Sequence, residues 1–503
     1  MKMNKMMKWM AVPTAAAAGW VASSGSPLVA AVSGAMAGLV MVADPGKKAA
    51  DFGVVARGTQ VSTRKRRARV SSDQIQIGGI PIPLDAEPQH FLLVGAPGTG
   101  KSVACEGVMD VARARGQRAV VYDSTGEFVA HYHREGKDVI LSPIDQRSAL
   151  WSPWSEGTDA FAYENLAQAL IPDGTGDNQF WAQAARAILR AVLAATNDLP
   201  SLIDLVFAQD QEMLLACLQA QGLAGLAGPQ QMLASSRGEA ATYVQPLAYL
   251  PPPGAAPFSI RDWIRDEHKD SWLFITSRAD VHKSIRPLIS MWLGLAVQAI
   301  MSLSASRTRR IWTILDELPT LQRLPSLDVA LAGGRKYGIA AVLGVQSIAQ
   351  VRDTYGRDAA AAILSHPSTR LTLRVGDSET ADYLSKSLGD RHTIRKVTSE
   401  SSNSSGGGTS ESEQHSIEAA VLPSEILALP NLVGYLRVPN DAVIKKIKLT
   451  PRDRAQIAEP YRDRPLSKPL AVPAAPPSGP SGVLDKNFLA SLTPPHDPDL
   501  PGL

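Results

Sequence analysis

The amino-acid sequence predicts an α/β fold with a central, mostly parallel sheet, an inserted all-α domain and an N-terminal transmembrane helical hairpin. Short apolar runs of strand type alternate with helical segments on both sides of a middle region, and this alternation is typical of a parallel sheet. The middle region, residues 176–253, has helical periodicity and no convincing strand. Two uncharged apolar segments lie within residues 1–45.

Length and composition limit the class of protein. A chain of 503 residues is too long for one compact core, and the usual domain size predicts about three domains. Hydrophobic residues make up 45% and charged residues 20% of the chain, which is typical of a globular protein. The net charge of +3 permits nucleic-acid binding without demonstrating it. Cys105 and Cys217 lack the spacing of a metal site, and no disulfide is expected.

Residues 1–45 form the predicted transmembrane hairpin. Its apolar segments, Trp9–Ala22 and Pro27–Ala43, are joined by a short Ser/Gly turn and are flanked by lysines. Positive charges on both sides predict that both ends face the cytoplasm. Each segment is shorter than the ~20 residues that comfortably span a bilayer. A cleaved signal peptide is the alternative, but it would export a nucleotide-binding site from the compartment that holds ATP.

Residues 46–75 form a predicted basic linker, with five Lys and Arg residues between Arg64 and Arg69. Such a cluster can contact DNA, but positive charges beside a membrane more often face anionic lipid headgroups. We therefore expect membrane lipid to be the partner of this linker.

Residues 76–175 form the first part of a nucleotide-binding domain. The predicted strand Phe91–Val94 is followed by a phosphate-binding motif, and then by the predicted helix Val103–Arg115. Two further strands are predicted at Arg118–Tyr122 and Asp138–Leu141.

The phosphate-binding motif matches G-x-x-x-x-G-K-[ST] in full. Its residues are Gly95, Ala96, Pro97, Gly98, Thr99, Gly100, Lys101 and Ser102. Glycines allow several backbone N–H groups to point at one phosphate group. Lys101 is expected to reach the β- and γ-phosphates, and the Ser102 hydroxyl to bind Mg²⁺. The motif predicts ATP and Mg²⁺ as ligands; a chance glycine-rich turn is disfavoured by the strand before it and the helix after it.

Residues 176–253 form the predicted all-α domain, which ends at a Pro-Pro-Pro-Gly sequence. Its predicted helices are Phe180–Ala195, Ser201–Gln221 and Pro229–Leu250.

Residues 254–450 form the second part of the nucleotide-binding domain. The predicted strands are Trp272–Thr276, Ile311–Leu315, Ile339–Val345 and Arg370–Val375, followed by an antiparallel pair, Leu432–Val438 and Ala442–Leu449. The uncharged segment Pro287–Ser306 could span a membrane. Because it joins two strands that we expect to be neighbours, we interpret it as a buried crossover helix.

Acidic residues follow one of these strands. Asp316 and Glu317 come directly after Ile311–Leu315, at the edge where open parallel sheets bind ligands. Asp316 is expected to help hold Mg²⁺, and Glu317 to act as a general base on the attacking water. Gln346 ends the strand Ile339–Val345 and could sense the γ-phosphate or orient this water.

The chain resembles the conjugative coupling proteins of type IV secretion systems, the TraD/TrwB type, over roughly residues 5 to 450. The segments that carry the resemblance are 277–280, 285–290, 316–319, 334–338, 345–347 and 377–388. The order of hairpin, split nucleotide-binding domain and all-α insert is also similar.

This resemblance implies a RecA-like P-loop ATPase in a hexameric ring at the bacterial inner membrane, with most of the chain cytoplasmic. It further implies that the protein couples relaxase-bound DNA to the secretion channel, and that ATP hydrolysis drives DNA transfer. By position, Arg335 matches the residue thought to act on the ATP of the neighbouring subunit. A guanidinium in that place would neutralise charge that develops on the γ-phosphoryl group.

Other functions stay open. A secretion ATPase that recruits protein effectors, or a nucleotide-gated adaptor without sustained turnover, would share much of this pattern. The acidic pair speaks against the adaptor. A chromosome-segregation translocase is disfavoured by the helical insert and by the segment Ser277–Asp280. The absence of a zinc-finger, RRM or helix-turn-helix signature predicts DNA binding without sequence recognition.

Two segments are expected to lack regular structure. Ser399–Gln414 has low complexity and no Lys or Arg, which is typical of a flexible loop. Residues 451–503 are rich in proline and are expected to be a mostly disordered tail.

Overall fold

The computed structural model of the chain describes residues 54–63, 73–174, 178–223, 225, 230–254, 256–403 and 406–465. The predicted transmembrane hairpin lies outside the described residues, as does the Arg64–Arg69 cluster. The described residues divide into a small unit, made of residues 54–58 and 391–418, and a large unit that contains the remainder.

The strands are as follows: β1 (Val54–Gly58), β2 (Gln60–Ser62), β3 (Gln76–Ile77), β4 (Ile80–Pro81), β5 (Phe91–Val94), β6 (Arg118–Asp123), β7 (Val139–Leu141), β8 (Trp272–Thr276), β9 (Ile311–Leu315), β10 (Ile339–Val345), β11 (Thr369–Thr372), β12 (Asp390–Asn403), β13 (Gly406–Ala419), β14 (Val433–Arg437) and β15 (Val443–Lys448).

The α-helices are as follows: α1 (Lys101–Ala114), α2 (Glu127–Tyr132), α3 (Ala160–Leu170), α4 (Asn178–Ala195), α5 (Leu199–Phe207), α6 (Gln211–Ala220), α7 (Gln230–Val244), α8 (Ile260–Arg265), α9 (His282–Met301), α10 (Leu327–Gly333), α11 (Ile348–Tyr355), α12 (Arg357–Ser365), α13 (Ser378–Leu388) and α14 (Pro423–Leu427). Short 3-10 helices include Leu318–Thr320 and Gly334–Tyr337.

The large unit is built on a ten-stranded sheet with the order β2-β15-β14-β11-β5-β10-β9-β6-β8-β7. The strands from β7 to β11 in this order run parallel, which confirms the predicted parallel sheet. β14 and β15 form the predicted antiparallel pair. The expectation that β8 and β9 are neighbours was wrong, because β6 lies between them and pairs with both.

Both faces of this sheet are buried, as a parallel sheet requires. Along β5, Phe91 and Leu93 face the core formed with α1, whereas Leu92 and Val94 face the opposite core. The helices α4 to α7 of the insert share that opposite core with the sheet and with α9. The predicted all-α region therefore exists as helices, but its apolar residues are continuous with the core of the nucleotide-binding domain.

Helix α9 contains residues 287–301 of the uncharged segment that resembled a membrane span. It is long and apolar enough to cross a bilayer, yet 78% of its most apolar stretch is buried inside the protein. No other helix in the described parts of the chain has this property. The interpretation as a buried crossover helix is therefore confirmed, although the two strands that it joins are not adjacent.

Parts of two predicted irregular segments are ordered, whereas residues 466–503 of the predicted tail lie outside the described residues. Most of the expected flexible loop Ser399–Gln414 belongs to β12 and β13, which form the three-stranded sheet of the small unit together with β1. Residues 451–465, placed in the predicted disordered tail, contact the large unit through backbone hydrogen bonds such as Ile457 to Ala130 and Arg464 to Ile144. Both predictions relied on composition, which does not report long-range backbone pairing.

Candidate functional site

Three parallel strands bring the predicted site residues together. In the order β5-β10-β9, the central strand pairs with both neighbours in parallel register. The residues that follow these strands, which are Gly95, Gln346 and Asp316, therefore lie at one edge of the sheet. This is the edge at which open parallel sheets bind ligands.

The loop between β5 and α1 is held in a conformation that requires glycine. Gly98 and Gly100 have φ angles of 71° and 116°, which side chains rarely adopt. Thr99 closes the turn by donating from its Oγ1 to the carbonyl of Ala96 at 2.6 Å. The amide of Leu432 donates to the carbonyl of Thr99 at 2.9 Å. The loop is thus preorganised by its own bonds and by the segment before β14.

Lys101 begins α1 and lies inside the site. Its Nζ donates to the carbonyl of Gly95 at 2.6 Å and lies 3.5 Å from Oε2 of Glu317. The backbone amide of Gln346 donates to Oε1 of Glu317 at 3.2 Å. Only 8% of Lys101 and 6% of Glu317 is exposed. The glutamate therefore joins the phosphate-binding loop, through Lys101, to the end of β10.

The two acidic residues have perturbed acidities. Burial, together with the nearby carboxylates Asp123 and Glu317, raises the pKa of Asp316 to about 7. Burial also raises the pKa of Glu317, and the ammonium of Lys101 opposes this effect. Clustered carboxylates in a buried site favour the binding of a cation, because a cation offsets their mutual repulsion.

A cavity of about 460 Å³ opens at this edge. The lining residues that the sequence predicted are Ala96, Pro97, Gly98, Gly100, Lys101, Ser102, Asp316, Glu317 and Gln346. The hydroxyl of Ser102 and the carboxylate of Asp316 provide hard oxygen atoms, which Mg²⁺ prefers. The donor set therefore fits a magnesium-bound triphosphate.

Several residues of the cavity were missed by the sequence analysis. Ser124, Thr125 and Glu127, from the turn after β6, line it, as does Thr320. Asp123 shapes this turn by accepting from the amides of Thr125, Gly126 and Val129. The signal was available in the sequence, because β6 is another apolar strand that ends in an acidic residue.

Arg335 is the one predicted site residue that lies elsewhere. It belongs to the 3-10 helix Gly334–Tyr337, which precedes β10, and so it lies at the amino edge of the sheet. Its side chain is exposed and has Arg310 as a like-charged neighbour. Arg335 therefore does not contribute to the cavity of its own chain.

A phosphate-binding loop at the edge of a parallel sheet, opposite an apolar strand that ends in two acidic residues, defines a P-loop nucleotide-binding protein. The sequence also matches the type IV secretion-system coupling protein DNA-binding domain over residues 74–450. The chain belongs to this family, as its resemblance to the coupling proteins implied.

Known relatives agree with this assignment. The coupling protein TraD of Escherichia coli (strain K12) is 34% identical over 407 residues, which cover 78% of this chain and 57% of TraD. The crystal structure of the bacterial conjugative coupling protein TrwBdeltaN70 has a TM-score of 0.75 and 31% identity, covering 82% of this chain and 97% of that structure. TrwB in complex with ADP and Mg²⁺ has a TM-score of 0.74 and 31% identity, covering 83% and 99%.

Proposed function

We propose that this chain binds and hydrolyses Mg-ATP at the cavity between β5, β9 and β10. The observation that carries the proposal is the arrangement of Lys101 and Glu317, which are 3.5 Å apart at the carboxyl edge of the sheet. A phosphate-binding cation and a candidate general base thus occupy one small, largely buried site. The complex of the related TrwB with ADP and Mg²⁺ supports the choice of nucleotide.

Each residue has a distinct task in this proposal. Lys101 binds the β- and γ-phosphates, whereas Ser102 and Asp316 hold Mg²⁺, which neutralises charge on the phosphates. Glu317 accepts the proton of the attacking water, and its raised pKa suits a general base. Gln346, whose amide already binds Glu317, orients the water or senses the γ-phosphate.

Arg335 completes the site in an oligomer. Its position at the amino edge of the sheet prevents it from reaching the nucleotide of its own chain, but leaves it exposed to a neighbouring subunit. We infer a ring of identical subunits, by resemblance a hexamer, in which Arg335 of each subunit stabilises the γ-phosphoryl charge in the next one.

In the cell, the proposed role is that of a conjugative coupling protein at the bacterial inner membrane. Two N-terminal helices anchor the chain, the basic linker contacts anionic lipid, and most of the chain is cytoplasmic. The ATPase receives DNA with its relaxase and drives the DNA toward the secretion channel. The family match to a coupling protein DNA-binding domain and the names of the relatives support DNA as the substrate. The binding is proposed to be independent of sequence.

The test uses the full chain in lipid nanodiscs, with ATP hydrolysis measured with and without DNA at several salt concentrations. Lys101→Ala and Glu317→Gln are each expected to lower the rate by about 100-fold or more. The matched controls Lys137→Ala and Glu212→Gln change exposed side chains outside the cavity and are expected to retain the activity.

The outcomes separate the candidate functions. A rate that rises with DNA, and collapses in both site variants, supports the DNA motor. Hydrolysis that depends on Glu317 but is indifferent to DNA favours a secretion ATPase that recruits protein effectors. ATP binding without hydrolysis in any of these conditions would contradict the proposed activity and favour a docking adaptor.

A further inference from the structure

A continuous series of hydrogen bonds leads from Glu317 to the segment 451–465, which we name the C-terminal strap. The first bond lies at the 3-10 helix that follows the acidic pair. Oγ1 of Thr320 donates to the carbonyl of Glu317 at 2.8 Å. Because Thr320 uses its hydroxyl proton there, the hydroxyl of Tyr122, 2.7 Å away, donates to Thr320. These bonds fix the backbone of the residue proposed as the general base.

His282, the first residue of α9, provides the next connection. Its Nε2 lies 2.9 Å from the carbonyl of Thr320, and its Nδ1 lies 2.7 Å from Oγ of Ser277. A carbonyl can only accept, so Nε2 carries a proton, and in the neutral ring Nδ1 accepts from Ser277. The ring thus joins the segment after the acidic pair to the segment after β8.

Tyr461 of the C-terminal strap ends the series. Its hydroxyl donates to the carbonyl of Ser277 at 2.6 Å. Its ring covers Gly126, where an added Cβ would lie 2.9 Å from the ring and where φ is 79°. Gly126 lies between Thr125 and Glu127, which line the cavity. The strap therefore contacts the site both through the hydrogen-bond series and through the turn after β6.

The C-terminal strap is anchored on both sides of Tyr461. Arg454 forms ion pairs with Glu106 and Asp110 of α1, the helix that begins with Lys101, at 2.7 Å each. On the other side, Asp463 pairs with Arg278 at 2.6 Å, next to Ser277. Tyr461 is thus held in place by contacts with the phosphate-loop helix and with the segment after β8.

We propose that the C-terminal strap positions the catalytic acid pair, and that Tyr461 and His282 are positioning residues for ATP hydrolysis. The inference rests on the proposed function, since it assigns these residues a role in the same site. Neither residue lines the cavity, so neither is expected to contact the nucleotide. Their effect is expected on the placement of Glu317, and hence on kcat.

The first test compares Tyr461→Phe with the wild-type full chain in nanodiscs. We expect kcat to fall about fivefold, the effect of one lost hydrogen bond, while KM and ATP affinity change less than about twofold. The matched control is Tyr435→Phe. It also removes a hydroxyl from a buried tyrosine, one that hydrogen-bonds to the side chain of Lys446, but it lies outside both the series and the C-terminal strap. Equal kcat values for Tyr461→Phe and wild type, or an equal loss in both Tyr variants, would overturn the proposal.

The second test changes His282. His282→Gln retains a donor toward Thr320, whereas His282→Phe retains neither bond, so the Gln variant is expected to keep more of kcat. The losses in Tyr461→Phe and His282→Gln should be less than additive in the double variant, because both act through one series. Full additivity would contradict a shared pathway. Glu317→Gln is run in parallel: if it leaves hydrolysis intact, the proposed function fails, independently of the strap.

Discussion

The carboxyl and amino edges of the large sheet are made by the same strands but differ in how their polar groups are satisfied. At the carboxyl edge, Asp316 and Glu317 face a cavity, and their pKa values are raised by burial. At the amino edge, the ring of His90 is held by hydrogen bonds to two elements, α10 and β10. Its Nε2 lies 3.0 Å from the carbonyl of Leu331, and its Nδ1 accepts from the amide of Ala341 at 3.1 Å.

This difference indicates that the carboxyl edge serves function, whereas the amino edge serves stability. The acids of the carboxyl edge face the cavity with raised pKa values, and such groups cluster where a ligand binds. His90 has a partner on each ring nitrogen, and burial lowers its pKa to about 4, so it is neutral in the folded protein. Arg335 is the exception at the amino edge, because it is exposed. Apart from Arg335, variants at the carboxyl edge should therefore change the rate of ATP hydrolysis, whereas variants at the amino edge should change the free energy of unfolding.

The largest effect is expected for Arg335, which lies at the amino edge but is proposed to act in hydrolysis. Arg335→Ala should lower ATP hydrolysis by about 1,000-fold through loss of a charge supplied between subunits. Because its side chain is exposed, the free energy of unfolding should change by less than about 0.5 kcal/mol. The measurement is hydrolysis by the assembled protein, alongside a denaturation curve.

Subunit mixing tests the direction of this contact. If Arg335 acts on a neighbour, an equimolar mixture of Lys101→Ala and Arg335→Ala chains contains some interfaces with both intact residues. Random mixing into a ring of independent sites should restore about a quarter of the wild-type rate. A mixture as inactive as its two components would show that Arg335 does not act between subunits.

The next largest effect is expected at the carboxyl edge of the sheet, on the stability of the fold. Gly344 lies in β10 beside the end of β9, and a Cβ atom there would overlap the carbonyl oxygen of Asp316. Gly344→Ala should therefore destabilise the fold by about 4 kcal/mol and displace the acid pair. Gly333→Ala is the control, since a Cβ atom at Gly333 meets no atom within 4 Å. Equal unfolding midpoints for the two variants would refute the close contact.

A third prediction concerns the pH dependence of the amino edge. Burial lowers the pKa of His90 from 6.5 to about 4, so between these values the unfolded chain binds the proton more readily. Stability should fall as pH drops through this window, with a loss of about 3 kcal/mol from His90 by pH 4. Above pH 6.5 the group should have no effect.

The comparison of wild type with His90→Asn isolates this residue from other titrating groups. Asparagine retains a side-chain donor and acceptor but has no group that titrates in this pH range. The variant should be less stable at neutral pH, but its stability should fall less steeply between pH 6.5 and 4. Parallel pH curves for the two proteins would mean that His90 does not titrate as described.

The smallest effect is expected for Gln346→Ala, which tests the role of the carboxyl edge in chemistry. Loss of its side chain should lower kcat by about tenfold and leave ATP affinity within about twofold, because the amide that binds Glu317 is retained. Gln350→Ala, in the exposed face of α11, should match the wild type. A rise in the Kd for ATP with unchanged kcat would assign Gln346 to binding.

Local patterns predicted much of the fold and site. The strands β5, β8, β9 and β10 begin and end where the sequence placed them, because each is an apolar run bounded by polar or glycine residues. Six of the eight predicted residues of the phosphate-binding loop line one cavity together with Asp316, Glu317 and Gln346, whereas Gly95 and Thr99 do not line it. Their roles in hydrolysis remain predictions. The prediction of a single helix over Ser201–Gln221 was wrong in detail, since the segment forms parts of two helices, α5 and α6.

What sequence determined here is local: a complete phosphate-binding motif between a strand and a helix, and acids at the end of an apolar strand. These features depend on backbone freedom and periodicity within a few residues. Tertiary structure decided that β6 enters between β8 and β9, that Arg335 lies at the far edge from the cavity, and that residues 451–465 contact α1 and the turn after β6. Such choices follow from the burial of two sheet faces and from pairing between distant segments, and neither leaves a periodic trace in the sequence.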